Sequence, residues 1–247
     1  MQLEGRVVER TELTAAQRDQ MYALMTAYYC NVDRDQFACD LSEKQWVLLL
    51  TVADSSEVLG FSTLTLQVAE VHGRQVTALF SGDTIVHQDY WARNPLAQTW
   101  GRFALSLIDT YPNRELYWFL ISKGYKTYRF LPLFFREFFP RFDAKTPARH
   151  AAIIHCLASA RFGERFDSKR SIVRSSENGC HLRPQVADVD DARLRDPHVA
   201  HFQLCNPGHE LGEELCCIAP LTRDNFTPAA RRVIGAHAWE HVESAQS

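Results

Sequence analysis

Leu116–Phe142, LYWFLISKGYKTYRFLPLFFREFFPRF, decides how the rest of the chain is read. Its first six residues, Leu116–Ile121, form an aromatic and aliphatic run whose length and side chains suit a buried strand better than a helix. Ser122-Lys123-Gly124-Tyr125-Lys126 follows as a basic turn. Beyond it, Phe130, Leu131, Leu133, Phe134, Phe135, Phe138 and Phe139 would cover most of a helical surface, so a helix closed by Pro140 is expected. Such a helix is too apolar to lie in water. Interrupted by Pro132 and Arg136-Glu137, it is also too short to span a bilayer. It belongs in a core or against an apolar ligand.

Upstream of this stretch, Pro95 suits the first turn of an amphipathic helix running to about Thr110, with Leu96, Trp100, Phe103, Leu107 and Ile108 inward. Before it stand three strand candidates, Trp46–Val52, Val58–Ala69 and Val76–His87, separated by Asp54-Ser55-Ser56-Glu57 and Gly73-Arg74. Gly82 lies inside the third, where a glycine commonly marks a bulge or a close backbone approach. Gly5–Arg10 is a first strand, and Thr14 caps a helix from Ala15 to about Cys30. The segment Val32–Lys44 is polar, with a turn at Asp40–Lys44. Strand, helix, three strands, helix, strand, helix describes an α+β fold with a largely antiparallel sheet flanked by helices.

Downstream, helices are expected at Pro147–Phe162, Pro197–Leu204 and Pro228–Trp239, a loop at Asp167–Ala187, and a strand at Leu215–Leu221. Residues 1–145 are therefore read as the core and residues 146–247 as a mainly helical extension packed on it.

The 247 residues are 46% hydrophobic and 23% charged, with a formal net charge of −3. That balance argues against electrostatic capture of nucleic acid. The acidic residues near the N-terminus, and the lack of any apolar run of bilayer-spanning length, lead us to expect a cytoplasmic protein without an integral membrane segment. The seven cysteines are odd in number, scattered and without a CxxC pair, so free thiols are expected. His150 and His155 lie five apart rather than four, so no metal site is expected there.

The element order, Val58–Leu64 (VLGFSTL), the strand, loop and helix from Val76 to Phe103, and the ending FFREFFPRF together resemble the GNAT superfamily of acyltransferases over Gly5–Phe142. More narrowly, YYCNVDRDQFACDLSEKQWVLLL (residues 28–50) followed by GFSTL resembles the GNAT-like branch that makes N-acyl amino acids and related lipids. The resemblance implies transfer of an acyl group from a thioester to the amine of a small molecule, amino acid or peptide. It also implies a donor on coenzyme A or on the phosphopantetheine of an acyl carrier protein, and an acyl slot beside the phenylalanine-rich helix. One departure stands out. The family's phosphate loop has the pattern Q/R-x-x-G-x-G/A, whereas Arg93-Asn94-Pro95-Leu96-Ala97 carries no glycine. A carrier-bound donor lacks the pyrophosphate-to-adenosine portion and would lose less by this.

By the same resemblance, the base is sought at Asp83 and His87 on the glycine-containing strand, which the family opens beside the thioester. The family's usual acid is a tyrosine on the last core helix, for which Tyr125 and Tyr128 stand in. Arg93, Asn94, Leu96 and Ala97 would hold the donor. Lys123, Lys126 and Arg129 would meet a phosphate or the acidic surface of a carrier protein. The turn Asn206–Glu210, followed by Glu213 and Glu214, is a further candidate wall of the acceptor pocket. Two other readings follow from the same residues: a non-catalytic protein of this fold that binds a lipid-like ligand or a protein partner, and a thioester hydrolase.

Overall fold

The computed structural model describes residues 3–53, 55–91, 95–176, 179–184, 186 and 188–239. Strand β1 (Leu3–Glu9) leads to helix α1 (Ala15–Tyr28), whose N-terminus is closed by the Thr14 hydroxyl on the Gln17 N–H and the Gln17 side chain on the Thr14 N–H. A two-residue strand, β2 (Tyr29–Cys30), follows. The polar segment after it folds into helix α2 (Arg34–Ser42), capped by Asp33 and buried through Phe37 and Leu41. Strands β3 (Trp46–Val52), β4 (Val58–Val71) and β5 (Arg74–Val86) form an antiparallel meander. Helix α3 (Leu96–Thr110) then crosses over to β6 (Glu115–Ser122), which runs parallel to β5.

Here the chain departs from the expected long aromatic helix. Two short helices, α4 (Tyr125–Tyr128) and α5 (Phe130–Phe134), are followed by extended chain. Phe135 bridges to Phe226 and Phe139 to Ile218. The Asn225 side chain accepts from the Glu137 N–H at 2.8 Å and donates to the Glu137 carbonyl at 2.9 Å, so the backbone bonds that a helix would make are met sideways. Phe134, Phe135, Phe138 and Phe139 are all buried, which an extended segment with apolar neighbours on both faces achieves as well as a helix does.

The remaining elements are α6 (Ala148–Phe162), β7 (Phe166–Asp167), β8 (Ile172–Val173), β9 (His181–Leu182), α7 (Pro197–Cys205), β10 (Glu214–Pro220) and α8 (Pro228–Ile234). Among the described residues two sheets result: an eight-stranded one in the order β1-β3-β4-β5-β6-β10-β8-β7, in which only β5 and β6 are parallel, and the pair β2-β9. The fold is thus the mixed, largely antiparallel α+β arrangement read from the sequence. Strand β10 stands inside the main sheet, antiparallel to β6 from Leu215↔Ser122 to Pro220↔Tyr117. One face of the sheet carries α3, α5 and α8, with Trp100, Trp118, Phe134, Phe135 and Phe226 at its centre. The opposite side carries α1 and α2 at one end and α6 at the other. No helix among the described residues is long and apolar enough to cross a membrane.

Candidate active site

Strands β5 and β6 pair only from Val76↔Glu115 to Ser81↔Leu120. Beyond that point they separate, because β5 bulges. Ser62 of β4 faces Thr84 while Leu64 faces Ser81, so one residue too many, in Gly82-Asp83, lies opposite Thr63. Gly82 is needed here. A Cβ at this position would stand 2.7 Å from Thr63 Oγ1 and 3.1 Å from Lys44 Cε. The bulge anticipated from the glycine is present, and it opens the sheet where the resemblance implies an opened strand.

A cavity lies against each side of the opening. The small one, about 40 Å³, is apolar and includes Leu96 and Ala97 from the start of α3, Trp100, Trp118, Phe130 and Phe134. The large one, about 950 Å³, extends under α1 and α2 on the other side. Gly82, Thr84, Leu96, Ile121, Thr127 and Phe130 line both, so the two cavities meet at the split. Leu96, the first residue of α3, lines both cavities, so the positive end of that helix lies at this junction, a setting that favours an anion or a polarised carbonyl.

Asp83 lines the large cavity and, among the described residues, enters no ion pair. Burial pushes its carboxyl above the usual aspartate range, against the opposing pull of the Lys123 and Lys44 ammonium groups. Lys123 follows β6 directly and reaches Glu214 Oε1, at the start of β10, at 3.6 Å. Burial alone would lower its pKa, but the carboxylates of Glu214 and Asp83 and the Cys180 thiol outweigh that and hold it above the ordinary lysine value. Glu214 is pushed up by burial, with Lys123 opposing. Tyr29 is raised far above the usual phenol by burial and by Asp83, so it stays protonated. The Lys123 ammonium lies 5.5 Å from the Tyr29 ring centre. Lys44, 6% exposed, donates to the Asp40 carbonyl at 2.7 Å, and burial together with neighbouring Arg161 lowers its pKa.

The structure therefore brings together Asp83, Lys123, Leu96 and Ala97 of the residues read from the sequence, and Lys126 also lines the large cavity. Lys126 is occupied: its ammonium sits 3.6 Å from the centre of the Trp91 ring and donates to the Val186 carbonyl at 2.5 Å. The other residues stand elsewhere. His87 lies just past the end of β5 and does not line the cavity, its Nδ1 3.6 Å from Asp89 Oδ2 and its ring against Tyr28 and Tyr90. Tyr128 is fully buried between Phe138 and Phe202 and donates to the Pro140 carbonyl at 2.8 Å. Tyr125 is buried below Arg193, and Arg129 pairs with Asp196 at 3.3 Å. Arg93 and Asn94 lie outside the described residues. From the turn after α7, Glu214 reaches the cavity, while His209 packs on Phe202 and Glu213 pairs with Arg170.

Sequence reasoning missed Tyr29, Lys44 and Arg161, which stand in unremarkable polar or helical segments and meet only in the fold. The cysteines are free, with Cys216 and Cys217 buried in β10, and no cluster of three metal-binding side chains forms among the described residues.

No protein-family model matches the chain, and no curated protein matches it. Among solved structures it is similar to a conserved protein of unknown function from Enterococcus faecalis (14% identity, 51% of this chain and 31% of that one, TM-score 0.39). A GCN5-related N-acetyltransferase from Kribbella flavida is similar at 15% identity over 52% of this chain and 32% of that one, TM-score 0.38. A GNAT family N-acetyltransferase from Escherichia coli, solved in complex with CoA, is similar at 15% identity over 62% of this chain and 80% of that one, TM-score 0.39. The chain spans about a third of the length of the first two. Likeness at this level leaves the functional reading to the chain's own geometry.

Proposed function

We propose that the protein transfers an acyl group from a thioester to an amine. The observation that carries this reading is the split between β5 and β6, where an apolar slot at the start of α3 meets a large cavity of mixed lining beside the half-buried Asp83 carboxyl, which enters no ion pair among the described residues. A thioester entering from the α3 side would bring its carbonyl to the split. An amine in the large cavity would approach that carbonyl from the opposite face.

In this reaction the amine nitrogen attacks the thioester carbonyl, a C–N bond forms, and the C–S bond breaks. Asp83 takes the proton that the nitrogen sheds and passes it to the departing thiolate. The raised pKa of Asp83 suits that exchange, since a carboxyl held above its ordinary range is a stronger base than a free aspartate and still returns the proton to a thiolate. Lys123, held by Glu214, keeps a positive charge beside the reacting centre, and the N-terminus of α3 stabilises charge developing on the carbonyl oxygen. The donor is carried by coenzyme A or by the phosphopantetheine of an acyl carrier protein. Leu96 and Ala97 take the place of the glycines that would cradle a pyrophosphate, which favours the carrier-bound form.

The test is thiol release from acyl-coenzyme A and acyl-carrier-protein pools, with and without a panel of amines. Amine-dependent release that Asp83→Asn abolishes is expected. Release without amine would instead mark a hydrolase, and binding of the thioester without release would mark a ligand-binding protein.

A further inference from the structure

The lysines of the chain are Lys44, Lys123, Lys126, Lys145 and Lys169. Lys145 and Lys169 are exposed, whereas Lys44, Lys123 and Lys126 line the large cavity in three different settings. Lys123 is held as an ammonium by Glu214. Lys126 is turned onto the Trp91 ring and the Val186 carbonyl. Lys44 enters no ion pair among the described residues, and its Nζ donates to the Asp40 carbonyl at 2.7 Å. It comes from the turn between α2 and β3, and its Cε lies 3.1 Å from where a Cβ on Gly82 would stand. Gly82 lines both cavities, so the tip of this side chain stands at their junction, where a donor from the α3 side would present its carbonyl.

The groups around Lys44 pull its proton in two directions. Burial and the Arg161 guanidinium, from α6, favour the neutral amine, while Asp83 on β5, Asp40 on α2 and Glu43 beside it favour the ammonium, and the first pair prevails. A neutral amine that donates one N–H to a carbonyl keeps its lone pair free for attack. We propose that Lys44 is an internal acyl acceptor, its Nζ taking the acyl group of a thioester seated at the split when no amine occupies the cavity. The inference takes its donor site from the acyl-transfer reading and adds a modification site inside the chain. Nζ attacks the thioester carbonyl, a C–N bond forms and the C–S bond breaks. The proton shed by the nitrogen passes through Asp83 to the thiolate, so the products are an N-acyllysine and a free thiol. The amide carries no charge and leaves the acyl group in the junction, so each chain reacts once and closes its split to a further donor.

The experiment incubates the full chain, without added amine, with acetyl-coenzyme A in one arm and acetyl-carrier protein in the other, and follows thiol release together with peptide mass spectrometry. Thiol release should stop when it matches the amount of chain, and Lys44 should be acetylated at least about tenfold faster than Lys145 and Lys169. Lys44→Arg should abolish that release and leave the labelling of Lys145 and Lys169 as it was, and Asp83→Asn should slow the labelling of Lys44 alone. Even labelling of Lys44, Lys145 and Lys169, or a Lys44 left unmodified by both donors, would overturn the proposal. A panel of amines then separates the inference from the reading it rests on. Amine-dependent turnover by a chain whose Lys44 stays unmodified throughout sinks the inference and leaves acyl transfer standing. A chain that acetylates Lys44 but turns over no added amine keeps the inference and sinks transfer to an external acceptor.

Discussion

Asp83 carries opposed demands. Its carboxyl is raised by burial, and a group whose folded-state pKa lies above its unfolded value binds more protons in the native state. Its contribution to stability is therefore present at low pH and is lost as pH rises from the unfolded aspartate value through the raised folded one. Asp83→Asn removes that loss, so the variant should melt higher than the parent at pH 8 and nearly level with it at pH 4, read by thermal unfolding across that range. Amine-dependent thiol release should fall by about 10²-fold or more in the same variant, the usual scale for a lost general base. In the parent, the rate should climb with pH through the raised carboxylate pKa, because the deprotonated form is the base. A variant that loses neither activity nor the pH dependence of its stability would remove Asp83 from the centre.

At the scale of elements, what was legible in the sequence had local causes. Thr14 announced the start of α1, Gly82 announced the bulge, and the period of Leu96, Trp100 and Leu107 announced α3. What was hidden was decided by partners distant in sequence. Phe130–Phe139 has a helical pattern, yet it turns extended after Phe134 because Asn225, Phe226 and Ile218 offer backbone partners that no local pattern encodes. The same reason hid Tyr29 and Lys44 from the site, and it misplaced the acid: Tyr125, in the expected basic turn, and Tyr128, just after it, both turn into the core. Asn225 makes the point testable. Its side chain bonds to the Glu137 N–H, the Glu137 carbonyl and the Pro220 carbonyl. Asn225→Ala leaves those groups buried without partners and should cost about 2–4 kcal/mol, lowering the melting temperature by roughly 5–10 °C. A second element, the turn before β10 that packs against Cys180 and His181, depends on Gly212. Its φ is +87°, and a Cβ there would stand 2.7 Å from the Cys180 carbonyl. Gly212→Ala should cost about 1–2 kcal/mol and, by displacing Cys180 and Leu182, should weaken amine binding more than donor binding, as separate titrations would show.

At the scale of the molecule, the question is whether residues beyond 145 are an accessory or part of one folding unit. Strand β10 is paired with β6 along six positions and with β8 on its other side, and Leu215, Cys216, Cys217, Ile218 and Ala219 are each 1% exposed or less. It also delivers Glu214 to Lys123, so the charge balance of the site depends on a strand that enters the sheet nearly a hundred residues after β6. A fragment ending at Cys205 would leave the β6 edge open and strip cover from Trp118, Leu120 and Phe139, an arrangement that invites edge-to-edge association. We therefore expect residues 1–205 expressed alone to be aggregated or to lack near-ultraviolet circular dichroism, and a peptide of residues 206–239 supplied during refolding to restore both the dichroism and amine-dependent thiol release. An independent core confined to residues 1–145 makes the opposite prediction: the fragment would stay monomeric and dichroic, the peptide would change nothing, and Glu214 would have no part in the chemistry at the split.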